Sequence, residues 1–151
     1  MTRAKRTRTS ASPANAGRPP SRRRTRERVL ANVPADLRQQ VDRWANDWLT
    51  STFSRLLELR AADPGPFNYP VAVFSEWRGK AFYLCARYRA RSLRPEDDFV
   101  VRSTRMTMTG FGRFELAYLR QTERWFTVYR GLTAEECFKE IEVNEIFSPV
   151  M

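Results

Sequence analysis

The sequence predicts an α+β domain: a long amino-terminal helix, an antiparallel meander of four to five strands and a short carboxy-terminal helix, preceded by a disordered basic arm. Three observations predict it. Apolar residues recur at helical spacing from Leu37 to Leu57, short aromatic and β-branched runs follow, and Thr133 with Glu136 has the spacing of a capping box. With 151 residues, 42% of them hydrophobic and 13% aromatic, the chain has the material for one packed core. Residues 31–151 therefore read as a single domain and residues 1–30 as the arm.

From Thr2 to Arg26 the chain consists of Arg, Lys, Ser, Thr, Pro, Ala, Asn and Gly, with Pro13, Pro19 and Pro20 breaking any helix and nothing apolar to anchor it. The charge is concentrated there. Residues 1–28 carry ten basic side chains, Arg3, Lys5, Arg6, Arg8, Arg18, Arg22, Arg23, Arg24, Arg26 and Arg28, against Glu27 alone, a net of +9. The remainder holds 17 basic and 16 acidic residues, a net of only +1. Attraction to polyanions is thus expected of the arm first.

Pro34 suits the first turn of a helix because its φ is fixed and its missing donor is not needed there, and Asp36 complements the positive helix end. Leu37, Val41, Trp44 and Trp48 form one apolar stripe; Ala45, Leu49, Phe53, Leu56 and Leu57 form a second. Pro64, Gly65 and Pro66 end the helix by Asp63. Strands are predicted over 69–76, 81–88, 99–108, 114–120 and 124–129, separated by Arg78 to Lys80, by Gly110 and Gly112, and by Gln121 to Glu123. The closing helix spans 134–143, its face made of Cys137, Phe138 and Ile141, with Leu132 and Cys137 as a hydrophobic staple and Asn144 as a left-handed terminator.

Histidine is absent, which excludes Ser-His-Asp and Cys-His nucleophile systems assembled within this chain. Cys85 and Cys137 fit no metal-ligand spacing and read as small core residues, and no secretory signal argues for a disulfide. A reducing, cytoplasmic setting follows as the expectation, with no membrane span, since no run approaches the roughly 18 apolar residues one requires. The six glycines form neither a Walker loop nor a dinucleotide fingerprint, so no cofactor is expected. Asp63, Glu76 and Lys80, or Glu96, Asp97 and Asp98, are the only carboxylate sets that suggest magnesium, and the second reads more simply as a solvated loop after Pro95. Arg78 to Phe82 are similar to the start of the ribonucleoprotein octamer, but Lys80 replaces the first stacking aromatic and a hairpin turn is the better reading.

Arg87, Arg89 and Arg91, at spacing two, would place three guanidinium groups on one strand face as an anion strip. Arg102, Arg105, Arg120, Arg124 and Arg130 could extend it, and Glu76, Glu115 and Glu123 could neutralise it as cross-strand pairs.

Phe114, Tyr118, Arg120, Trp125 and Tyr129, followed by Lys139, Ile141, Asn144, Ile146 and Phe147, resemble a small bacterial family known only as a domain of unknown function, DUF3024. The resemblance runs over about residues 36 to 147; it implies a leading helix, a sheet around a Gly hairpin and a closing helix, and no activity. The expected function is that of a non-enzymatic binding protein whose arm contacts nucleic acid non-specifically through phosphates while the domain docks a macromolecular partner. A structural subunit of a protein assembly is the alternative, and a magnesium-dependent nuclease a remote one.

Because residues 1–28 hold no apolar anchor and no capping signal, deleting them should leave the thermal unfolding midpoint of the domain unchanged. A loss of several degrees would show that the arm packs on the domain.

Overall fold

The computed structural model describes residues 32–150, and the ten basic residues of the arm lie outside them. Helix α1 spans Ala35–Ala62, five strands follow as β1 (Tyr69–Arg78), β2 (Ala81–Arg89), β3 (Phe99–Gly110), β4 (Arg113–Leu119) and β5 (Trp125–Leu132), and helix α2 covers Ala134–Val143. The strands form one antiparallel sheet in the order β1-β2-β3-β4-β5. This is the α+β meander that the sequence predicts, with five strands. No described helix is long and apolar enough to cross a membrane.

Pro34 stands at the N-cap with φ −54° and ψ 141°, one position before the first helical residue, and its carbonyl accepts the Arg38 N–H at 3.0 Å. At the far end Asp63 closes α1 by donating its N–H to Leu59. Two-residue turns join β1 to β2 and β3 to β4. Gly79 (φ 58°) and Gly112 (φ 62°) take the left-handed conformation that a side chain disfavours. The segment similar to the ribonucleoprotein octamer is therefore a hairpin, with Arg78 opposite Ala81, and Phe82 is buried rather than presented for stacking.

Both helices pack on the same face of the sheet. Val41, Ala45, Leu49 and Phe53 of α1 and Cys137 and Ile141 of α2 meet Phe82 and Leu84 of β2, Met106 and Met108 of β3, and Phe114 and Leu116 of β4. Burying each of the larger side chains contributes about 1.5–3 kcal/mol. The two helices also touch directly: Trp44 stacks on Phe138 at 4.1 Å, and its indole N–H donates to Glu142 at 2.8 Å. Trp77 of β1 fixes the start of α1, donating to Asp42 at 2.7 Å beneath the Arg38 guanidinium.

The Thr133 hydroxyl accepts the Glu136 N–H at 3.2 Å, the expected N-cap of α2. Asn144 does not take the left-handed form. It is extended (φ −114°, ψ 112°), because its side chain accepts the Ile146 N–H at 3.2 Å and starts a 3-10 turn over Glu145–Phe147. That turn carries Phe147 into the core, where its carbonyl accepts from the Thr104 hydroxyl at 2.7 Å. Thr104 is the one buried polar side chain among the described residues.

Replacing Thr104 with the near-isosteric Val leaves the Phe147 carbonyl buried without a donor, at a cost of about 1–3 kcal/mol. Urea midpoints of Thr104→Val and Thr104→Ser would check this, with Ser expected to retain most of the stability.

Candidate functional site

The face of the sheet opposite the helices is uncovered among the described residues, and it is not apolar. Alternation places Phe74 and Glu76 of β1, Tyr83, Cys85 and Arg87 of β2, Arg105 of β3, Ala117 of β4 and Trp125 of β5 on it. A β-bulge in β3 changes the alternation. Leu84 pairs with Thr104 but Cys85 pairs with Arg102, so Ser103 is the extra residue and Arg102 turns onto the open face beside Arg105.

Tyr83 and Trp125 belong to strands that lie three positions apart in the sheet, roughly 14 Å in a flat one. Their ring centroids are nevertheless 5.7 Å apart. The two rings therefore lean across the sheet and meet above β3 and β4, where the small Ala117 leaves room. Cys85 and Ala117 are 0% and 1% exposed without belonging to the helix-side core, consistent with larger neighbours lying over them. Two guanidinium groups join the rings, Arg102 over Tyr83 at 5.8 Å and Arg105 over Trp125 at 4.7 Å.

The acids are distributed unevenly around these cations. Glu76 accepts from Arg102 at 2.5 Å and lies 3.5 Å from Arg78, and Glu115 pairs with Arg130 at 3.3 Å, as cross-strand neutralisation predicts. Glu123 makes no ion pair among the described residues; it occupies the β4–β5 turn at φ 61°. Arg105 has no carboxylate within ion-pair distance among the described residues, and its Nε is buried without a hydrogen-bond partner.

The expected strip of Arg87, Arg89 and Arg91 is shorter than the spacing implied. Strand β2 ends at Arg89; the chain turns after Ala90, and the Arg91 N–H goes to the Asn68 side chain at 3.0 Å. Arg89 grips Asp98 with two bonds at 2.7 and 3.1 Å, and Arg87 lies 3.8 Å from the same carboxylate. Hydrogen bonding from Arg89, and then the positive charges of Arg89 and Arg87, hold the Asp98 carboxyl below its ordinary range despite partial burial, and Arg89 is shifted upward in turn.

The acidic sets considered for magnesium do not gather. Asp97 accepts from Ser92 at 2.6 Å and Asp98 serves the arginines. Asp63 closes the far end of α1, roughly 40 Å of helix from the hairpin that holds Lys80. No three potential metal ligands cluster among the described residues. Burial pushes both thiols up to about 12, Cys85 with help from Glu76 and Cys137 with help from Glu136, so neither is a thiolate near neutral pH.

A sheet covered by helices on one face and carrying half-buried rings and guanidinium groups on the other, with no metal-ligand cluster among the described residues, defines a class of small α+β domain built around one open sheet face. Within it the chain belongs to the family described as Domain of unknown function (DUF3024), whose model matches residues 21–149. No curated protein and no solved structure matches the chain.

Since the Asp98 pKa is lower in the folded protein than the usual value of about 3.9, the clamp stabilises above that value and is lost as pH falls through the depressed one. Asp98→Asn should therefore lower the thermal midpoint at pH 7, and its deficit against the parent protein should shrink below pH 4. An equal deficit at both pH values would show that Asp98 acts by packing alone.

Proposed function

We propose that this protein binds single-stranded nucleic acid without catalysing a reaction, holding bases on the open sheet face and phosphates with the basic arm. One observation carries the reading: Arg105 lies over Trp125, beside Tyr83, with no carboxylate within ion-pair distance among the described residues. A guanidinium without a carboxylate partner keeps its outer N–H groups for an anionic ligand. Aromatic rings next to it offer stacking surface to any base, worth about 1–3 kcal/mol for each base engaged.

Duplexes keep their bases inside, so this combination favours a single strand. The arm, with its net +9, and the face, with Arg102 and Arg105, share an attraction to one polyanion. The platform carries few groups placed to read base edges, and sequence preference should be slight.

Fluorescence anisotropy with labelled oligonucleotides tests this. At low salt, a single-stranded decamer should bind more tightly than the matching duplex, and Arg105→Ala or Trp125→Ala should weaken it by about five-fold or more. Replacing Arg22, Arg23, Arg24 and Arg26 with Ala should reduce the salt slope by roughly three, about 0.7 for each lost contact on a single strand. An absence of binding at low salt, where the phosphate contribution is greatest, would end this reading in favour of an assembly subunit.

A further inference from the structure

Three guanidinium groups on the open face gather around a single carboxylate. Glu76 of β1 stands across from Tyr83 of β2, and Tyr83 stands across from Arg105 of β3. Arg102, turned onto this face by the bulge at Ser103, reaches back over β2 to Glu76, Nε to Oε1 at 2.5 Å, with its guanidinium 5.8 Å from the centre of the Tyr83 ring. Arg78 approaches the same oxygen at 3.5 Å. Arg105 has no carboxylate within ion-pair distance among the described residues, so three cations face one anion here, a surplus of two charges.

The side chains of Glu76 and Arg102 are 29% and 32% exposed, so solutes reach the pair and opening it costs little stability. A carboxylate and a phosphate are equivalent partners for a guanidinium, since each accepts charge-assisted hydrogen bonds from the same fork. Concentration separates the two. Glu76 is tethered beside Arg102 and acts at an effective concentration on the order of millimolar or above, whereas a free anion must compete from solution. A strand already held at another point of the protein presents its next phosphate on terms similar to those of Glu76.

We propose that Glu76 is an internal mimic of a ligand phosphate: it occupies Arg102 in the free protein and is displaced only by a polyanion held at several points, so that a strand binds and a mononucleotide does not. The inference rests on the function proposed above and gives that site its selectivity. Arg105 is the cation open to first contact, and Arg102 is the second, conditional one. When Arg102 turns from Glu76 to a phosphate, the released carboxylate keeps Arg78 as its partner and is not left uncompensated. The same movement uncovers the face of Tyr83 over which Arg102 lies, so that capture of a phosphate is coupled to exposure of a stacking surface.

Binding by the full chain, by Glu76→Gln, by Arg102→Ala and by the double variant tests this, with a labelled deoxyadenosine decamer followed by anisotropy and deoxyadenosine monophosphate followed by calorimetry. Near-UV circular dichroism establishes that each variant keeps the packing of its rings. The parent protein should bind the decamer and not the mononucleotide. Glu76→Gln, a near-isosteric change, should bind the decamer about three-fold or more tightly, with a salt slope steeper by about 0.7 for one further contact on a single strand, and should acquire measurable affinity for the mononucleotide. In the Arg102→Ala background the same change should give little gain, because Arg78 is already 63% exposed and no other guanidinium is released. An equal gain in both backgrounds would show that Glu76 acts only by its charge at a distance, and an unchanged affinity in Glu76→Gln would show that it does not compete. Either result overturns the inference and leaves the platform standing. If no variant binds the decamer, the platform reading fails and the inference fails with it.

Discussion

A single five-stranded sheet has two faces, and this chain has helix enough for one of them. The 28-residue α1 and the 10-residue α2 both contribute to the cluster that holds Phe82, Met106, Phe114 and Leu116. The opposite face must then meet water with side chains that remain soluble and still shield the small residues between them. Tyr83, Arg102, Arg105 and Trp125 suit that demand, because each combines a broad apolar body with a polar or cationic end. The contact of Tyr83 with Trp125 follows from the same constraint and accompanies the burial of Cys85 and Ala117.

The arrangement of that face depends also on irregularities in the ladder. Register shifts occur in every strand pair, and the one at Ser103 has the largest consequence for the open face. It sets Thr104 toward the helices, where its hydroxyl donates to the Phe147 carbonyl, while Arg102 turns the other way toward Glu76. Anchoring of the carboxy-terminal segment and arrangement of the platform cations are thus two results of one extra residue.

Electrostatics divides the face further. Asp98 is occupied by Arg89 and Arg87, Glu76 by Arg102 and Arg78, and Glu115 by Arg130, so five of the arginines that a count of charges offers to a ligand are already engaged. Partly exposed pairs of this kind contribute little to stability, yet they determine where positive charge remains available. Of the two guanidinium groups that lie over Tyr83 and Trp125, Arg102 has a carboxylate partner and Arg105 has none among the described residues. The spacing of Arg87, Arg89 and Arg91 pointed to the neighbouring strand edge, and the acid that neutralises it lies nine residues beyond Arg89, in a segment that read only as a solvated loop.

The sequence by itself determined the local elements and the charge asymmetry. Prolines at 34, 64 and 66 bounded α1, Thr133 marked the start of α2, and glycines at 79 and 112 marked two hairpins, because each of these signals acts within a few residues of itself. Asn144 shows the limit even of a local signal: its side chain had two uses, and the burial of Phe147 selected the capping one. Alternation alone separated Tyr83 from Phe82, but nothing near Tyr83 foretold Trp125, since their meeting depends on three strand pairings. Only the tertiary structure decided that Arg105 is left without an acid while its neighbours are paired. That outcome is set by which side chains the bulge and the register bring across the sheet, and such distances between residues remote in the chain are not encoded in any short stretch of it.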